Sequence, residues 1–111
     1  MATTAKPIPD GYHTITPYLS VKGAANAIAF YQKAFNAREL MRMAQPDGRV
    51  GHAELQFGDS HIMLADKFPE MGFKSPHSIG GTPVHLHMYV EDVDAVVGQA
   101  LAAGAKLVRP V

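Results

Sequence analysis

Residues 16–37 read T-P-Y-L-S-V-K-G-A-A-N-A-I-A-F-Y-Q-K-A-F-N-A, and residues 85–105 read H-L-H-M-Y-V-E-D-V-D-A-V-V-G-Q-A-L-A-A-G-A. Both stretches run in one order: a strand, an amphipathic helix, then a small residue opening another strand. Val21 aligns with Val90 and Ala37 with Ala105, with one residue of slippage inside the helix. A repeat of this kind sets the architecture before any single element is assigned. The second copy is the shorter one, because the chain reaches Val111 where its second strand begins.

The rest of the chain fills in around the repeat. Pro7, Pro9 and Gly11 mark residues 1–12 as an extended arm. Residues 14–21 alternate, with Ile15, Leu19 and Val21 on one face and Thr14, Thr16, Tyr18 and Ser20 on the other, which predicts a half-buried strand. Ile28, Tyr31 or Gln32, and Phe35 recur at helical spacing over 24–35, and Asn36 suits the left-handed residue after a helix. Residues 39–44 form a second strand, followed by the turn Pro46-Asp47-Gly48-Arg49. The third strand, 50–57, sets Ala53, Leu55 and Phe57 against His52, Glu54 and Gln56. A fourth, 61–66, turns Ile62 and Leu64 to the core. A loop over 67–81 leads to a fifth strand, 82–91. Asp92 then caps a helix over 93–103 whose buried stripe is Val93, Val96, Val97, Ala100 and Leu101. Gly104 closes that helix, and 106–111 would be a sixth strand. The expectation is one α+β domain over 1–111: a β-α-β-β-β module at 13–66, a loop at 67–81, and a second module at 82–111 cut short to β-α-β.

Bulk properties narrow the function classes. A chain of 111 residues forms one core, and 47% apolar with 18% charged residues is a globular composition. Ten basic side chains balance ten acidic ones, so nothing electrostatic favours nucleic acid or an anionic membrane. Without cysteine there is no disulfide or thiolate chemistry. No apolar run is long enough to span a bilayer, and the N-terminal stretch lacks the apolar core of a signal peptide, so a cytoplasmic location is expected.

Three stretches carry a resemblance: I-T-P-Y-L-S-V-K-G-A-A-N-A-I-A-F-Y-Q-K-A-F-N-A, P-D-G-R-V-G-H-A-E-L-Q-F-G-D-S-H-I-M-L-A-D, and V-H-L-H-M-Y-V-E-D-V-D-A-V. With its F-Y-x-x-A-F and Y-V-E-D-V-D-A elements the chain resembles the vicinal oxygen chelate superfamily. This is the glyoxalase, bleomycin-resistance and extradiol-dioxygenase group, and the likeness is to its small PhnB-like bacterial branch. The resemblance implies paired modules whose sheets curl around a small-molecule cavity with helices outside. In catalytic members it also implies a divalent metal held from the first and last strands of each module. Those positions fall on Thr16, near Met63, on His85, and past Val111. A neutral hydroxyl and a thioether are poor ligands for a hard ion, which leaves His85 as the one good donor. The resemblance also implies two further strands and a terminal glutamate ligand that this sequence lacks.

Alternation groups a set of candidate site residues on the polar faces of the strands. Thr16 and Tyr18 come from the first strand, His52, Glu54 and Gln56 from the third, His61 and Met63 from the fourth, and His85, His87 and Tyr89 from the fifth. Two readings stand for them: a ligand cavity, or one solvated face of an antiparallel sheet. Glu54 beside His52 is the candidate general base, and otherwise a solvated carboxylate. Tyr18 and Tyr89 would wall a cavity for a planar ligand, or pack across strands. Phe68, Met71 and Phe73 read as an apolar lid, or as a loop packed over a sheet end. Two functions follow. One is a metal-independent protein that binds a small organic molecule. The other is a lyase, isomerase or dioxygenase using zinc, nickel, manganese or iron, with His85 as anchor and Glu54 as ligand or base. An unpaired strand edge at 106–111 predicts a homodimer, with strand exchange as one route.

Overall fold

The computed structural model describes residues 6–111, so the first five residues of the expected arm lie outside the described residues. The first element is a short strand, β1 (Tyr18–Val21), not the predicted run from residue 14. Pro17 explains the late start. It has no N–H to give a ladder, and only its carbonyl takes part, accepting from the Met63 N–H at 3.0 Å.

Helix α1 (Ala24–Phe35) follows and buries Ala24, Ile28 and Ala34. Gly23 at its entrance has φ 75° and Asn36 at its exit φ 57°, a conformation that asparagine tolerates better than most residues. No side chain from its own entry turn caps the helix. Asp66 does so from the strand next to β1, where it stands opposite Val21: Oδ1 accepts from the Ala24 N–H at 2.8 Å and Oδ2 from the Val50 N–H at 2.7 Å.

Strands β2 (Arg38–Ala44), β3 (Val50–Phe57) and β4 (Ser60–Asp66) complete a mixed sheet in the order β1-β4-β3-β2. β1 runs parallel to β4, with Tyr18 opposite Met63, while β2–β3 and β3–β4 are antiparallel hairpins. Leu19, Val21, Ala53, Leu55 and Leu64 face α1 and form the core with Ile28. Their alternates lie on the opposite face. This is the β-α-β-β-β unit read from the sequence.

Residues 67–81 are ordered by local hydrogen bonds. A single 3-10 turn (Pro69–Met71) sits inside a bridge between Phe68 and Phe73. Helix α2 (Pro76–Ile79) is capped by Ser75, which exchanges hydrogen bonds with Ser78. Helix α3 (Val93–Ala102) carries the predicted Asp92 cap, whose side chain accepts from the Ala95 N–H at 3.0 Å. It lies against α1, and Gln99 reaches the Lys33 carbonyl at 2.7 Å.

The second module departs from expectation. Residues 82–91 and 106–111, predicted as strands, are not strands. Residues 84–90 make no backbone hydrogen bond to the four-stranded sheet. A strand is defined by its ladder, and an alternating sequence without a neighbour in register has none. Leu86, Met88 and Val90, the apolar alternates of this stretch, are 53%, 42% and 36% exposed. The fold is therefore α+β with one complete module, and α3 is the part of the second module that forms.

Candidate functional site

The sheet face away from α1 carries a chain of side-chain hydrogen bonds. Tyr18 on β1 approaches His52 on β3, hydroxyl to Nδ1, at 2.7 Å. The far nitrogen of the same ring, Nε2, lies 2.9 Å from Glu54 Oε2. The other oxygen of Glu54 accepts from the Tyr12 hydroxyl. Tyr12 belongs to the N-terminal arm, which crosses the face and stacks its ring on His61, centroids 4.1 Å apart. Gly11 permits that approach. Its φ is 83°, and a Cβ there would meet His61 Cε1 at 3.1 Å.

The electrostatics follow from the same contacts. Donation by Tyr12, then His52, holds the Glu54 carboxyl below the ordinary carboxylate range. Burial, then the hydrogen bond to Glu54, pushes the Tyr12 hydroxyl up to about 12. Tyr18 is raised as well, by burial first and the Glu54 charge second.

Beside Tyr18 the face opens into a cavity of about 630 Å³. Ser20 and Ala65 form its floor and Phe68, Met71 and Phe73 its far wall. The Ser20 hydroxyl is buried there without a hydrogen-bond partner. Arg49 fastens the wall: its guanidinium reaches Glu70 at 3.1 Å and Asp47 at 2.8 Å, and lies 4.1 Å over the Phe68 ring. It thereby ties the β2–β3 turn to the loop and holds both carboxyls below their ordinary values.

The sequence-selected residues fall into four places. Tyr18, His52 and Glu54 share the hydrogen-bond chain, and Met63 pairs with Tyr18 in register. Thr16, His61, His85 and His87 border a smaller cavity of about 250 Å³ beneath the arm. Gln56 is turned away and donates to the Gly58 carbonyl at 3.0 Å. Tyr89 is 92% exposed and stands against His87. Four participants escaped the sequence reading: Tyr12, Ser20, Arg49 and Asp66. Two of them carried a local signal: Ser20 by its place on the polar face of the first strand, and Arg49 by its place at the end of a turn. Tyr12 meets Glu54 across 42 positions, and Asp66 meets Ala24 across 42.

The donor set does not fit a divalent metal at the positions the resemblance implies. Thr16 and Met63 offer weak atoms, and among the described residues no three His, Asp or Glu are placed to hold an ion.

Comparison with known proteins adds the lineage. The sequence profile of the Glyoxalase/Bleomycin resistance protein/Dioxygenase superfamily matches residues 11–111. Uncharacterized proteins of Mycobacterium bovis and Mycobacterium tuberculosis are 50% identical over 97 residues, which is 85% of this chain and 64% and 57% of theirs. The chain thus spans less than two thirds of the length of these relatives. An Arabidopsis thaliana gene product superposes with a TM-score of 0.74 at 26% identity, covering 90% of this chain and 80% of that one. TioX from Micromonospora sp. ML1 gives 0.59 at 25%, covering 88% and 75%. FosX from Listeria monocytogenes, a fosfomycin resistance protein solved with Mn(II) and sulfate, gives 0.63 at 18%, covering 85% and 73%, a likeness of fold.

Proposed function

We propose, for a chain that belongs to the glyoxalase/bleomycin resistance protein/dioxygenase superfamily, that it binds a small organic molecule in the cavity beside Tyr18. The observation that carries this reading is the pairing of an apolar wall with one unpartnered hydroxyl. Phe68, Met71 and Phe73 offer aromatic and thioether surface, while the Ser20 hydroxyl is buried without a partner. A ligand pocket is commonly built this way, mostly apolar with a few placed polar groups. No metal is needed for such binding, and no step is assigned to one. Amide chemical shifts followed during titration with para-cresol test the reading. Saturable shifts confined to Ser20, Ala65 and residues 68–73, lost in Ala65→Phe, support it. Shifts confined to residues 86–90 would sink it.

We further propose that two copies associate through the extended stretch 84–90. Val84, Leu86 and Met88 are 66%, 53% and 42% exposed along a segment whose backbone groups from 85 to 90 pair with no strand among the described residues, the condition that favours pairing with a second chain. Native mass spectrometry should give a dimer for the parent and a monomer for the Leu86→Asp, Met88→Asp double variant. A monomeric parent would remove this part of the reading.

A further inference from the structure

With the His52 ring neutral, the hydrogen-bond chain behind the cavity fixes the direction of every proton in it. Glu54 is a carboxylate and can only accept, so both its partners donate. Tyr12 gives its hydroxyl proton to Oε1, and His52 gives the proton on Nε2 to Oε2. In the neutral ring Nδ1 is then a bare acceptor, and the atom facing it at 2.7 Å is the Tyr18 hydroxyl. Tyr18 must donate there. Its proton is committed toward His52, and its remaining lone pair is free.

We infer that Tyr18 presents an acceptor oxygen to the cavity, so that the ligand's polar end is a hydrogen-bond donor, a phenol, alcohol or N–H group on an apolar body. This rests on the reading of that cavity as the ligand site. Three further features agree. Tyr18 lines the cavity and is 54% exposed. Ser20 lies two residues along the same strand face, and its hydroxyl is buried there without a partner among the described residues. Among the described residues no lysine, arginine or histidine lines the cavity, and its one acidic residue, Asp66, has both oxygens engaged by backbone N–H groups. Arg49, behind Phe68, is committed to Asp47 and Glu70. A carboxylate ligand would meet no counter-charge and would stand near the charges of Glu54 and Asp66.

Two measurements test this. First, nitrogen-15 spectra of the histidine-labelled protein in mildly alkaline buffer, with His52 assigned by His52→Gln, should show the Nε2–H tautomer. Glu54→Gln should shift the ring toward a mixture. An Nδ1–H tautomer in the parent overturns the proposal whatever binds. Second, affinities are compared for para-cresol, its methyl ether and para-toluate. Cresol should bind about five- to tenfold tighter than the ether, the scale of one unmade hydrogen bond, and Tyr18→Phe should close that gap. Equal affinities, a tighter ether, a tighter toluate, or a gap unchanged in Tyr18→Phe overturn it. If no probe binds, the cavity reading fails, and the tautomer still decides which way Tyr18 donates.

Discussion

Asp66 is the residue on which two distant parts of the chain converge. Its oxygens satisfy the first N–H of α1 and the first N–H of β3, both belonging to buried residues. Asparagine keeps the shape but offers one accepting oxygen, leaving a buried donor facing an NH₂ group. Asp66→Asn should cost on the order of 2 kcal/mol in urea unfolding, with slower-exchanging amides of Ala24 or Val50 losing protection. The Tyr12–Glu54 pair predicts a pH dependence with two limbs. Glu54 has a depressed folded value, so its contribution is present above the ordinary glutamate value of 4.5 and is lost as the pH falls through the lower folded one. Tyr12 has a raised value, so its contribution is full below 10 and is lost as the pH climbs towards about 12. Thermal melts across the range should show both limbs. Tyr12→Phe should make both limbs shallower, with the alkaline one persisting through Tyr18, whose hydroxyl is raised as well.

At the scale of elements, α1 is held by its underside. Ile28 is fully buried against Leu55 and Leu64, so Ile28→Ala should cost about 2–5 kcal/mol through the cavity it leaves. A midpoint shift at constant denaturant slope checks this. The loop over the cavity is held differently, by its own hydrogen bonds and by one guanidinium. Arg49→Met removes both carboxylate contacts and the face-on contact with Phe68 while keeping the apolar stem. Hydrogen exchange should quicken at Phe68 and Phe73, whose backbone groups bond each other, and leave β3 and β4 unchanged. Unchanged exchange in the loop would mean that the Phe68–Phe73 bridge holds the loop alone.

At the scale of the whole molecule, the shape carries the argument. The Cα radius of gyration is 15.6 Å, against roughly 13 Å for a compact domain of this length. The excess accompanies residues 82–92, all exposed, between a packed first module and a helix that buries only Ala100. A second copy covering residues 84–90 would put that surface to use. X-ray scattering from the double variant Leu86→Asp, Met88→Asp should return a particle of the single-chain radius, and the parent a larger one.

The first module was legible because its information is local. Period-two alternation drew β3, helical spacing and Asn36 drew α1 with its end, and Asp92 announced α3. The same alternation grouped Tyr18, His52 and Glu54 on one face, since side-chain direction in a strand depends only on parity. The sequence by itself therefore determined the elements of the module, its family likeness and the polar face. It could not determine whether residues 82–91 become a strand, because a ladder needs a neighbour and alternation does not supply one. Nor could it bring Tyr12 to Glu54, Asp66 to Ala24, or Arg49 to Glu70. Those contacts span 42, 42 and 21 positions, and only the closing of the sheet and the path of the arm across it bring the partners within hydrogen-bond reach.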